Sequence, residues 1–179
     1  MRGIIVVTLL ICIVALAGAA QAKDLPKQIS QVDAGIWIPE GWEPVSADIG
    51  WTVGVTHLDR ERKYCAVLDY AQFNVSLNVR YGYQQVYGSG THRLVSGLVG
   101  PALCSKDGYL ALLAGVSNDQ ASATAFAGGY GASASASKTD FVLGIAGGVT
   151  RDRLGIQARY QWANDAPFRG ARVAATLRF

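Results

Sequence analysis

The side chains able to do chemistry in this 179-residue chain are few and poorly placed for it. A hydrolase acting on lipid at a membrane surface needs a nucleophile, a base and an orienting acid within hydrogen-bond reach of one another. The chain has two histidines, and His92 has Ser96 four residues on. On an extended strand the two share a face, but at about 3.3 Å per residue they lie about 13 Å apart and cannot touch. His57 ends a strand just before Leu58-Asp59-Arg60-Glu61-Arg62 and reads as a rim residue. Two cysteines beyond the N-terminal region, Cys65 and Cys104, lack neighbouring histidines, whereas zinc usually takes three or four protein ligands. Phosphate-loop and dinucleotide signatures are absent from the sequence. The expectation is no catalytic residue, no cofactor and no metal, with an enzyme acting on lipid A or phospholipid as the alternative. The net charge of +3 is too weak to point to nucleic acid.

Arg2 is followed by an apolar run from Ile4 to Ala20 and by the triplet Ala20-Gln21-Ala22, the pattern of a secretory signal peptide cleaved after residue 22. Cys12 lies inside that run behind Ile11, unlike a lipoprotein site. An exported chain with two remaining cysteines would by default pair them, because its compartment is oxidising.

The elements that must carry any function are strands. Charged residues make up 16% of the chain against about 25% in soluble proteins, and glycine is abundant. Period-2 alternation recurs. In Asn74–Gln84, Val75, Leu77, Val79, Tyr81 and Tyr83 share one face, with Asn74, Ser76, Asn78 and Arg80 on the other. Val45–His57 and Leu154–Ala163 repeat the pattern, and Lys63–Tyr70, His92–Leu103, Tyr109–Asn118, Phe141–Val149 and Gly170–Phe179 are less tidy strands. These make eight. Counting the Ala/Ser/Gly-rich Ala121–Ser137 and a short strand around Val32–Ile38 would make ten, and residues 23–44 read as a periplasmic segment or an extra strand ahead of a barrel spanning 45–179.

Alternation alone cannot say which face is dry, since a soluble barrel and a membrane barrel alternate alike. Export, and aromatics near strand ends (Trp51, Tyr81, Tyr83, Tyr160, Trp162), favour a membrane barrel with interfacial girdles. Arg80, Arg159, Arg172 and Arg178 all fall on polar faces, where the lumen or a solvated rim would hold them and Asp48 and Asp69 would be their partners. The expected fold is an all-β, antiparallel, up-and-down transmembrane barrel of eight strands, ten being the alternative. Strands two apart in such a meander run in the same direction. Cys65, starting one strand, and Cys104, ending another, would then lie at opposite rims and stay unpaired.

The C-terminus is the most specific feature. Ala171, Val173, Ala175, Leu177 and Phe179 alternate with polar or small residues, and the chain ends on Phe179. This resembles the closing strand of bacterial outer-membrane barrels, whose terminal Phe is read by the barrel-assembly machinery. With Gly97-Leu98-Val99-Gly100-Pro101 and Leu154–Trp162 it is similar to the small eight-stranded barrels of the OmpX and Ail/Lom attachment-invasion type. Where that family ends in Gly-Tyr-basic-Phe, this chain has Thr176-Leu177-Arg178-Phe179. The resemblance implies an outer-membrane location, lipid and lipopolysaccharide around the barrel, and a structural or surface-interaction role in adhesion or host contact through the loops. A narrow channel would follow only from ten strands. Deleting Phe179 is expected to lower the yield of heat-modifiable, folded protein in cells sharply; unchanged outer-membrane levels would contradict the assembly role of Leu177 and Phe179.

Overall fold

The computed structural model describes residues 27–41, 44–81 and 84–179. The signal-peptide region 1–22, Cys12 and Tyr83 lie outside the described residues. Among the described residues nine strands follow one another: β1 (Gln28–Pro39), β2 (Val45–Ala47), β3 (Gly50–Asp59), β4 (Tyr64–Tyr81), β5 (Gln84–Cys104), β6 (Gly108–Ala127), β7 (Tyr130–Arg151), β8 (Leu154–Ala163) and β9 (Gly170–Arg178). A 3-10 turn, Ala166–Phe168, precedes β9.

Every pairing is antiparallel, and the order β1-β3-β4-β5-β6-β7-β8-β9 closes on itself through β9 and β1. The ring therefore has eight staves. β2 is not one of them, since its three residues only extend the sheet beside β4 at Val75–Leu77. The ring begins at Gln28, so part of the segment before Val45 is a barrel strand. Ala121–Ser137 forms the upper arms of β6 and β7 around the turn Gly128-Gly129, whose positive φ angles of 55° and 86° suit a two-residue hairpin that only glycine adopts easily. The expected strands Lys63–Tyr70 and Asn74–Gln84 are not two strands: Tyr64–Tyr70 and Asn74–Tyr81 both belong to the single β4, and Gln84 begins β5. Eight is the count, with a different membership, and the ten-stave alternative falls.

The orientation of side chains is inverted relative to a soluble barrel. Trp51, Val53, Val55, Leu68, Val99, Leu112, Val116, Phe141, Leu143, Ile156 and Leu177 are exposed on the outer wall, while Gln31, Asp33, Thr52, Thr56, Asp69, Gln157, Arg159, Gln161 and Arg172 are buried inside. In water such an arrangement would forfeit the hydrophobic driving force on its whole outer surface. In hydrocarbon it is the stable one.

The two ends differ. At the end where β1 begins and β9 ends, β3–β4, β5–β6 and β7–β8 are joined by short turns at Arg60–Lys63, Ser105–Asp107 and Asp152–Arg153. At the other end β4 to β7 run to 18–22 residues, against 9–12 for β1, β3, β8 and β9. A membrane strand needs about 9–11 residues, so four strands continue about ten residues beyond the ring. Tight turns mark the periplasmic side of outer-membrane barrels and extensions the outer side.

Cys65 and Cys104 require a correction. They lie on neighbouring strands at the same rim, because β4 is one continuous strand paired along its length with β5. Both thiols are free. Cys65 sits opposite Gly100 and Cys104 four residues further on, an axial offset of about 13 Å, where a disulfide needs Cα atoms within about 7 Å.

The lipid-facing wall yields a direct test on one strand. Leu112→Arg should cost about 2–4 kcal/mol in denaturant unfolding from lipid vesicles, the depth-dependent penalty for a cation in hydrocarbon. Ser122→Arg, on the same face of β6 but beyond the membrane, should change stability by less than about 0.5 kcal/mol.

Candidate functional site

Two regions of the barrel concentrate polar groups: the lumen, and the sheet that rises above the outer rim. An eight-stranded ring leaves an interior just wide enough for side chains. Here that interior is filled by charge. Arg172 on β9 reaches Asp33 on β1 and Asp69 on β4, its Nη1 donating to Asp69 Oδ2 at 2.9 Å, and Arg159 on β8 pairs with the same Asp69. Gly54 on β3 leaves room for this cluster: a Cβ there would stand 2.7 Å from the Asp69 Cβ and 3.1 Å from Arg172 Nη1. Nearer the periplasm, Gln157 Oε1 accepts from Tyr109 at 2.8 Å, from Gln31 at 3.1 Å and from Thr56 at 3.3 Å. Towards the outer rim Trp37 and Phe168 are both buried, and Gln161 Nε2 donates to the Phe168 carbonyl at 2.9 Å. Arg172 and Arg159 are only 1% and 4% exposed, enclosed by the side chains around them. The lumen is a plug.

The six polar candidates from sequence thus separate. Asp69, Arg159 and Arg172 meet in the lumen. Arg178 continues the inward row of β9 at the periplasmic mouth, beside Arg60. Arg80 is exposed on the outward face of β4, far above the ring, and Asp48 is exposed in the bulge between β2 and β3. Neither faces the lumen: above the membrane the outward face of β4 is the polar one, so a polar face there marks the outside of the wall. Asp33, the second carboxylate of the cluster, escaped sequence reading because β1 was an undecided segment.

The aromatics divide by height too. Trp51 lies 5.1 Å from Tyr70, and Tyr160 4.7 Å from Trp162, ring centroid to centroid, on the outer wall near the rim where the four long strands leave the ring. Tyr81 belongs elsewhere: it closes β4 opposite Gln84, eleven residues beyond Tyr70, and is not in the girdle.

Rows of residues aligned across β4, β5, β6 and β7 on the outward face show where lipid ends. Leu68, Gly97, Val116 and Phe141 form an apolar row. The next, Tyr70, Val95, Asn118 and Thr139, is mixed, with Asn118 Nδ2 donating to Thr139 Oγ1 at 2.9 Å. Above it come Gln72, Arg93, Gln120 and Ser137, then Asn74, Thr91, Ser122 and Ser135, then Ser76, Ser89, Thr124 and Ser133. The outward face turns polar within two rows while the inward face of the same strands becomes Val75, Leu77, Ala121, Ala123, Ala134 and Ala136. This reversal explains why β4 reads as two strands in sequence. Lys138, at the foot of this sheet, is tied to Asp165, and the hydrogen bond to that carboxylate raises its pKa.

His92 Nδ1 bonds Asp119 Oδ2 at 2.6 Å and the imidazole stacks on Phe73 at 5.1 Å, inside the wall just below the outer mouth. Sequence reading missed that acid, which cross-strand register supplies. Ser96 is turned to Ser117, with their hydroxyls 2.9 Å apart. Base and acid are together, but the serine of the same strand bonds another hydroxyl.

An eight-stave antiparallel ring with an apolar outer wall and a charged plug defines the class: this is a small transmembrane β-barrel of the bacterial outer-membrane type. Among solved structures it is similar to Ail, the attachment invasion locus protein of Yersinia pestis, in complex with the heparin analogue sucrose octasulfate. That likeness has a TM-score of 0.60, with 16% identity, over 86% of this chain and 100% of Ail. A second Ail structure aligns with a TM-score of 0.54 at 18% identity, over 87% of this chain and 100% of its own. No family model and no curated protein matches the sequence.

The plug is testable by exchange of partners. Arg172→Met strands Asp33 between uncharged neighbours and should cost about 3–5 kcal/mol of unfolding free energy. Adding Asp33→Val should restore most of it. A single variant as stable as the parent would contradict the cluster.

Proposed function

We propose that this protein is an exported outer-membrane barrel whose role is surface interaction, adhesion or host contact, made by the sheet of β4–β7 that stands above the membrane. The observation that carries this is the length of those four strands. The ring closes with 9–12 residues per strand elsewhere, so the extra arms contribute nothing to crossing the bilayer. Keeping them ordered costs roughly 1–2 kcal/mol of backbone entropy per residue, a cost that a purely structural barrel would shed. The arms also offer a binding edge: β7 is paired to β8 only from Val142 onward, so the backbone from Tyr130 to Asp140 has a partner on one side alone.

Export by the signal peptide, insertion by the barrel-assembly machinery reading Leu177 and Phe179, and a surround of outer-membrane lipid and lipopolysaccharide complete the reading. Ail, crystallised with a heparin analogue, supports a host-surface ligand for this chain. A plugged lumen disfavours solute conduction, and function then belongs to the exterior.

Shortening both arms, by joining Phe73 to His92 and Ala121 to Ala136 with tight turns, should leave a heat-modifiable barrel in the outer membrane and abolish attachment of expressing bacteria to host cells. Full attachment by correctly inserted, shortened protein would overturn the proposal.

A further inference from the structure

The middle of the raised sheet's outward face is unusual in being polar without being charged, between Arg93 at its foot and Arg80 towards its tip. Its two central rows, from Asn74 to Ser135 and from Ser76 to Ser133, hold eight side chains, every one a hydroxyl or an amide. These same residues, together with Asp48 and the intervening Val75, Gly90, Ala123 and Ala134, line an open cleft of about 750 Å³. Strands about 4.8 Å apart and same-face residues about 6.6–7 Å apart set these groups on a regular lattice. Some already bond across the strands, as Thr91 Oγ1 does to Asn74 Oδ1 at 3.1 Å.

Directly above these rows, in register with each other, stand Tyr87 and Phe126, their rings 6.4 Å apart and 29° from parallel. They are 55% and 47% exposed, well outside the lipid zone, where nothing in the membrane argument calls for large aromatic surface. Opposite Phe126 is Gly131, and a Cβ there would meet the Phe126 ring at 2.8 Å, so the glycine lets the ring lie flat across the hairpin.

We infer that this face is a binding site for neutral carbohydrate, in which an aromatic platform takes the apolar face of a pyranose and the hydroxyl and amide rows below bond its hydroxyls. Both parts of the sugar's chemistry are matched. A ring presents C–H groups on one face and hydroxyls around its edge, and an amphipathic aromatic beside a wettable lattice offers surface to each. A sulfated glycan fits worse. The face carries Arg93 at its foot and Arg80 towards its tip, with Asp48 in the cleft lining, and lacks the clustered cations that recognise sulfate bidentately. The inference deepens the surface-interaction reading and rests on it.

The test uses full-length mature protein in nanodiscs, titrated with maltohexaose, cellohexaose and chitohexaose, with sucrose octasulfate as the anionic control, and backbone amide NMR shifts as the readout. At least one neutral hexamer should shift Ser89, Thr124 and Ser133, at low and at high salt alike. Tyr87→Ala with Phe126→Ala should weaken that binding about tenfold or more, the loss of one to two stacking contacts, while heat modifiability confirms that the variant still folds. Three results overturn the inference: shifts from none of the neutral hexamers, shifts from sucrose octasulfate alone that salt erases, or equal affinity in the double variant. Concentration-dependent shifts at Tyr87 and Phe126 without sugar would identify the aromatic pair as a contact between copies and would also overturn it. Host attachment lost on shortening the arms, together with no neutral-sugar binding, would leave the wider function standing and remove only this ligand.

Discussion

Inside a bilayer a backbone N–H or C=O has no water to turn to, and each one left unmet costs several kcal/mol. The rest of this structure follows from that constraint. A chain whose sequence alternates with period two cannot satisfy it with helices, so its strands must find partners on both sides, and only a closed ring gives them. Closure is achieved where β9 returns to β1, with Gln31–Pro39 set against Gly170–Arg178. Closure also fixes the inversion of the wall: once the ring is complete, outward residues meet acyl chains and inward ones meet only each other.

An eight-stave ring then creates a second problem, a narrow interior lined by the polar residues that the outer wall cannot carry. Two arginines and two aspartates solve it by mutual neutralisation. Such a cluster is weak as a source of stability, because desolvating four charges offsets most of their attraction. Its effect is on specificity. A one-residue slip of β9 or of β4 would send Arg172 or Asp69 into lipid and Val173 or Leu68 into the plug, so the charges favour the register that ring closure needs.

The same logic shows what was legible in the sequence. The strand from Leu154 to Ala163 reads directly, because it lies wholly within the membrane and its two faces keep one chemistry from end to end. β4 does not, because it passes from lipid into water: its outward face changes from Leu68 to Ser76 while its inward face changes from Asp69 to Val75, and a reversal of phase imitates a break. β1 is obscured for another reason, since Ile29 and Trp37 put apolar side chains on the inward face around Gln31 and Asp33. Arg80, Asp48 and Tyr81 show the remaining limit. Their face or their type is readable from periodicity, but their height above the membrane is set by cross-strand register. The pairing of His92 with Asp119 is equally invisible before the strands are aligned.

One continuous strand face passes from lipid to water at the row of Tyr70, Val95, Asn118 and Thr139. Single nitroxide labels at successive outward positions of β6, from Leu112 through Val116, Gln120 and Thr124 to Phe126, measure this directly in bilayers through their collision rates with oxygen and with a water-soluble nickel chelate. Oxygen-dominated relaxation is expected at Leu112 and Val116, a crossover at Asn118, and nickel-dominated relaxation from Gln120 onward. Nickel access at Leu112 equal to that at Thr124 would contradict this, because the apolar wall would then be facing water.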